Sequence, residues 1–170
     1  MNNLFTELEN QNKQIPLAEL LRPKTLEEFL GQSNVISQNS PILNLLRTNR
    51  LFSMIFWGTP GCGKTTLARL IATKTNANFI EISAVTSGVK DIKDAVENAK
   101  ASLRTGSKTI LFIDEIHRLS KNVEEILYPA LEDFTIDIMI GKGATARSIR
   151  LDLPHFTLVG ATTRAGLLSS

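Results

Sequence analysis

The stretch "GTPGCGKT", Gly58 to Thr65, restricts what this chain can fold into more than any other. It follows an apolar run, "LFSMIFW", and opens a segment, Lys64 to Thr75, whose Leu67, Leu70 and Ile71 share one helical face. A G-x-x-x-x-G-K-[ST] pattern between a strand and a helix is a phosphate-binding loop. Its glycines let the backbone curl until its N–H groups point inward at phosphate oxygens. The following helix aims its positive end at the same place. Gly58, Gly61, Cys62 and Gly63 form the cradle, and Lys64 supplies a full positive charge for the β- and γ-phosphates. Thr65 offers a hydroxyl to Mg²⁺, and Thr66 lies near the α-phosphate. The single thiol, Cys62, stands near a helix N-terminus, and we read it as a variable loop position without a redox role.

The rest of the chain alternates in the way such a loop demands. "NFIEIS" (78–83) is a second strand, "KTILFIDE" a third and "FTLVGATT" (156–163) a fourth. Between them, "GVKDIKDAVENAKASLRTG" places Val89, Ile92, Ala95, Val96, Ala99 and Leu103 on one helical stripe, closed by Gly106. "SKNVEEILYPALEDF" is a helix that Pro129 should kink. Upstream, "SPILNLLRTN" begins with Ser40 as cap and Pro41 in the first turn. "KTLEEFLG" repeats the signal, with Thr25 as cap, Glu28 completing a capping box and Gly31 as stop. Apolar β-branched strands alternating with helices predict an α/β fold, a parallel sheet covered on both faces. One segment breaks the rhythm. "TIDIMIGKGATARSIRLDL" (135–153) alternates with period two around "GKGATAR", which predicts a β-hairpin with a flexible tip inserted before the fourth strand. Residues 1–15 are polar and expected to be mobile.

The third strand ends in two carboxylates, Asp114 and Glu115. Burying one without a partner is costly, so the pair needs a cation or solvent. Ligands of parallel sheets bind at the carboxyl ends of the strands, which brings the pair beside the phosphates. Asp114 then suits Mg²⁺, as a Walker B aspartate, and Glu115 suits a general base that polarises the attacking water. "GATT" places Thr162 and Thr163 at the same edge, where a hydroxyl could meet the γ-phosphate or that water; an ordinary strand-end turn has the same sequence. His117 and His155 lack metal-ligand spacing and read as structural. A formal net charge of +2 is too weak to argue for nucleic-acid binding by electrostatics. One cysteine excludes an internal disulfide and fits a reducing compartment. The polar, acidic start is no secretory signal, and no apolar run approaches the ~20 residues of a membrane helix. The expected location is cytoplasmic.

The lead-in "LRPKTLEEFLGQ", the phosphate loop, "FIDE" and "GATT" together resemble the AAA+ ATPases, in the family's order and over nearly the whole chain. From about Pro16 to Arg118 the chain looks like the RarA (MgsA) recombination factors, on "SMIFWGTPGCGKTTLA" and "EISAVTSGVKDIKDAVENA". From about Thr109 to Ser170 it looks like RuvB, the Holliday-junction branch-migration motors, nearly throughout. The changeover falls in "FIDEIHR", so we read a chimera joined where the two families are most alike.

The resemblance implies a P-loop NTPase core over 16–170, with ATP and Mg²⁺ as cofactors and strand order 5-1-4-3-2. Leu21 and Arg22 match the family's adenine-side contacts. Glu132, Asp133 and Phe134 match a nucleotide-site segment of RuvB. The hairpin 135–153 is similar to the element that docks on RuvA. The family acts on DNA at junctions or forks and forms homohexameric rings. The chain stops at "GLLSS", before the expected arginine finger, fifth strand, helical lid and winged-helix domain. Without that strand the apolar "MIFW" should lie at an open sheet edge. The functional expectation is an ATP-binding core of a RuvB-like branch-migration motor with impaired turnover. Its alternatives are a RarA-like replication-fork ATPase and a non-enzymatic fragment that binds a RuvA-like partner.

Overall fold

The computed structural model describes residues 16–140 and 147–167. The expectations for 1–15 and for the hairpin tip lie outside these residues. The chain divides into two units, Met1–Gly31 and Gln32–Ser170.

The described part of the first unit holds one helical turn, α1 (Leu17–Leu20), started by Pro16. Arg22 closes it with an ion pair to Glu19 at 2.6 Å. The helix expected over "KTLEEFLG" does not form; the segment is a series of turns. Its capping signals are real nonetheless. The Glu28 carboxylate accepts from the Lys24 N–H at 2.8 Å, and the Glu28 N–H reaches the Thr25 hydroxyl at 3.4 Å. Caps satisfy a helix end but cannot offset the cost of nucleating so short a helix.

The second unit is the alternating one. After α2 (Pro41–Thr48), capped as expected by the Ser40 hydroxyl on the Leu43 N–H, come β1 (Met54–Trp57) and α3 (Lys64–Lys74). Next are β2 (Asn78–Ser83), α4 (Val89–Arg104) and β3 (Thr109–Asp114). A 3₁₀ turn (Ile116–Arg118) leads into α5 (Lys121–Glu132). The hairpin β4 (Thr135–Ile140) and β5 (Arg147–Asp152) precedes β6 (Thr157–Thr162). Helix α5 continues through Pro129 to Glu132.

The main sheet has the order β1-β6-β3-β2, with every pairing parallel. With β6 as the fourth strand, this is the 1-4-3-2 part of the expected order. The central strands follow from composition. Ile110, Phe112 and Ile113 of β3 and Val159 of β6 are fully buried, and each such side chain contributes roughly 1.5–3 kcal/mol by leaving water. Strands without a charged residue before their last position can be covered on both faces; β2, carrying Glu81, takes an edge. On α4, Ile92, Ala95, Val96 and Ala99 are buried as the stripe requires, but Leu103 is exposed in the last turn. β1 is the other edge, and its Ile55 and Trp57 are 52% and 72% exposed.

Gly160 of β6 has a steric reason. A β-carbon there would stand 2.7 Å from Ile116 Cδ1 and 3.3 Å from its Cγ2. The bare strand therefore lets the turn after Asp114 settle directly onto the sheet. The hairpin is a separate antiparallel ribbon, with Ile136 opposite Leu151. Its base is closed by the Leu153 N–H on the Phe134 carbonyl at 2.6 Å.

Candidate nucleotide site

Parallel pairing sets the site. Trp57 is in register with Thr162 across β1 and β6, and Ile113 with Gly160 across β3 and β6. The strands therefore end together, with β6 in the middle. The Gly58 N–H, first in the loop, donates to the Thr162 carbonyl at 3.2 Å. Two strand spacings, about 10 Å, separate the loop's strand from the acid pair's strand, which leaves room for a polyphosphate between them.

Within the loop, Gly61 and Gly63 take φ of +76° and +94°, a region that costs glycine nothing. Gly63 is the residue before α3, so the helix's unpaired N–H groups open toward the loop. The Lys64 ammonium donates to the Gly58 and Thr59 carbonyls at 2.9 and 3.0 Å. It thus lies over the loop it belongs to. The Cys62 thiol is tucked inside, 3.9 Å from that ammonium, and a β-carbon on Gly58 would stand 2.8 Å from the sulfur. Thr65 and Thr66 fall in the first turn of α3, Thr66 buried.

On the facing side, the Asp114 carboxylate accepts the Glu115 N–H at 3.0 Å. Glu115 has left-handed backbone, φ 52° and ψ 44°, an unfavourable conformation for a residue with a side chain. It turns the chain sharply off β3 and keeps the second carboxylate at the sheet edge. The Thr163 hydroxyl donates to Glu115 Oε2 at 3.3 Å. His117 reaches both strands: Nδ1 is 2.8 Å from Thr162 Oγ1, and Nε2 is 3.4 Å from Glu115 Oε2. Lys64, Thr65, Asp114, Glu115 and Thr162 are therefore brought to one edge. The hard oxygens of Thr65 and Asp114 are the donor type that magnesium accepts.

Other expected site residues are not brought there. Phe134 packs against His155 with the rings tilted by 59° and their centroids 3.9 Å apart, and His155 lies just before β6 begins. The six residues of β6 span about 17 Å, so Glu132, Asp133 and Phe134 stand at the opposite end of the sheet. Helix α5 runs back along the sheet and carries its C-terminus away from the loop, so their assignment to a nucleotide site rests on the RuvB resemblance. Leu21, exposed, and Arg22 belong to the first unit.

The family model described as the Holliday junction DNA helicase RuvB P-loop domain matches residues 21–170. The chain belongs to the RuvB P-loop family. It is 49% identical over 156 residues to the Holliday junction branch migration complex subunit RuvB of Clostridium kluyveri, covering 88% of this chain and 42% of that protein. The corresponding figures for the RuvB subunit of Ehrlichia canis are 47% over 153 residues, 88% and 45%. Among solved structures, the Thermotoga maritima RuvB Holliday junction branch migration motor superposes with a TM-score of 0.63 at 40% identity, over 88% of this chain and 44% of that one. A point mutant of the same RuvB gives 0.66 at 41% identity, over 89% and 45%. The chain thus spans less than half the length of the RuvB proteins it matches, and its fold is that of the RuvB P-loop NTPase domain. Among the described residues no helix is long and apolar enough to cross a membrane.

Sequence reasoning missed His117. Its side chain is only 6% exposed and bridges Thr162 to Glu115. The available signal was its place in the turn directly after the acid pair, at the strand edge where ligands bind.

Proposed function

We propose that this domain binds ATP with Mg²⁺ and supplies the nucleotide-hydrolysing core of a RuvB-type motor for Holliday junction branch migration. The carrying observation is the convergence of the Lys64 loop, the Asp114–Glu115 pair and Thr162 at the carboxyl edge of one parallel sheet. Gly58, Gly61, Cys62 and Gly63 line the phosphates through the loop backbone, and Lys64 faces the β- and γ-oxygens. Thr65 and Asp114 would hold Mg²⁺, which would offset the charge on the phosphates. Glu115 accepts the proton of the attacking water, and Thr162 orients that edge. Leu21 and Arg22 are assigned to the adenine side on resemblance alone.

The test is metal dependence. Asp114→Asn should bind a fluorescent ATP analogue as the unaltered chain does without Mg²⁺, but should lose most of the gain that Mg²⁺ gives. An undiminished Mg²⁺ effect in the variant would remove Asp114 from the metal site.

The partners follow from the same reading: a homohexameric ring, Holliday junction DNA, a cytoplasmic setting, and a RuvA-like protein on the hairpin. The hairpin's separation from the main sheet and the partial exposure of Leu151 favour that docking. Leu151→Ser should reduce capture by immobilised RuvA; capture at the unaltered level would argue against it. The chimeric origin of the first half belongs to this proposal too, on its RarA-like stretches. Comparison of residues 16–108 alone with both families decides it, greater similarity to RuvB removing the seam.

A further inference from the structure

One titratable side chain at the site, only 6% exposed, is left without a task by the proposed reaction. His117 is in the 3₁₀ turn after Glu115, and its ring stands between two strand ends. On one side is Thr162, completely buried at the end of β6; on the other is Glu115, whose side chain is 31% exposed. Donor logic gives the bridge a direction. Thr162 Oγ1 accepts the Arg164 N–H at 3.0 Å. His117 Nδ1 is 2.8 Å away, and because the carboxylate on the ring's other side can only accept, Nδ1 of a neutral ring takes the Thr162 proton. With Nδ1 an acceptor, the ring proton of a neutral imidazole is on Nε2, which faces Glu115 Oε2 at 3.4 Å. Thr163 addresses the same oxygen directly. Both groups thus face Oε2.

We propose that His117 is a positioning residue: it holds the Glu115 carboxylate by its Nε2–H and ties that carboxylate to Thr162, so that the end of β6 sets the orientation of the base. This rests on the reading of Glu115 as the group that activates water. The backbone supports it, because Glu115 sits in a strained left-handed conformation and needs outside contacts to fix its side chain. Gly160 adds to it by admitting Ile116 onto β6, which docks the turn carrying His117 against the same strand.

Three variants separate the halves of the bridge. His117→Phe keeps a ring and removes both polar contacts. His117→Gln can place an N–H near the Nε2 position, toward Glu115. His117→Asn can place an acceptor near Nδ1, toward Thr162, but cannot reach Glu115. Single-turnover hydrolysis in the Phe variant is expected to fall by about 10²-fold, the scale of an ångström-level misplacement, with ATP affinity unchanged. Gln should recover much of the rate and Asn should not. Nitrogen-15 NMR of the unaltered chain should show the Nε2–H tautomer at His117, and Thr162→Val should shift its signals. An unchanged rate in the Phe variant, equal rates for Gln and Asn, or an Nδ1–H tautomer would overturn the proposal. Failure of the underlying nucleotide reading is distinct: there Lys64→Ala would leave ATP binding intact, whatever the tautomer at His117.

Discussion

Replacing Glu115 by glutamine is expected to lower single-turnover ATP hydrolysis by about 10²–10⁴-fold, the usual contribution of a positioned general base. Nucleotide affinity should hardly move. Glutamine keeps the volume and the oxygen that Thr163 and His117 address, so the packing of the edge survives. What it loses is the ability to take a proton. Glutamine and glutamate share the same branching at the β-carbon, so the left-handed backbone at 115 should persist and a fall in rate should not come from a rebuilt turn. The pattern to look for is a collapse in the chemical step with binding preserved, which marks an interaction made only in the transition state. Rapid mixing with radiolabelled ATP measures the step directly. If the glutamine chain hydrolysed ATP at the unaltered rate, Glu115 would not be the base.

The second large effect concerns binding itself. Lys64→Ala should weaken ATP by about 10²–10³-fold, because an ammonium donating to phosphate oxygens makes charge-assisted bonds of ~1.5–3 kcal/mol each. Lys64 already lies across the loop, bonded to the Gly58 and Thr59 carbonyls. It is therefore poised over the place where β- and γ-oxygens would enter. Its removal should cost the free protein little, since Thr59 is exposed and its carbonyl can turn to water. Thermal unfolding separates the two quantities. Saturating Mg-ATP should raise the midpoint of the unaltered chain, since a ligand that binds only the folded state stabilises it. The alanine chain should melt at nearly the same temperature as the unaltered one without nucleotide, and should gain almost nothing from it. A full ATP-induced rise in the variant would place the phosphates elsewhere.

These two expectations draw on the part of the protein that was legible in the sequence. The phosphate loop announces itself because each residue answers a local demand: positive φ at Gly61 and Gly63, a charge at Lys64, a helix start beyond. The strand ending in Asp114 and Glu115 is legible for a similar reason, as apolar burial stops where the carboxylates begin. Helix α4 was plain from its stripe, although Leu103 shows that periodicity overruns the point where the helix leaves the sheet. The segment at 25–31 shows the opposite error. Its capping signals formed hydrogen bonds without a helix, since a cap states where a helix begins and not whether its few residues can sustain one.

The sequence by itself determined the strand–loop–helix unit, the alternation that makes a parallel sheet, and the residue types able to hold phosphate and metal. Each depends on neighbours within a few positions, whose dihedral preferences and periodicity are written in the chain. Only the tertiary structure decided what stands beside what. It fixed the register of β6 against β1 and β3, the order the resemblance implied, and so brought the Thr162 carbonyl to the Gly58 N–H. It turned His117 from an isolated residue into the link between Thr162 and Glu115. It carried Glu132, Asp133 and Phe134 to the far end of the sheet. These relations arise from pairings between residues distant in sequence, chosen by the burial of whole strands, and no local pattern records them.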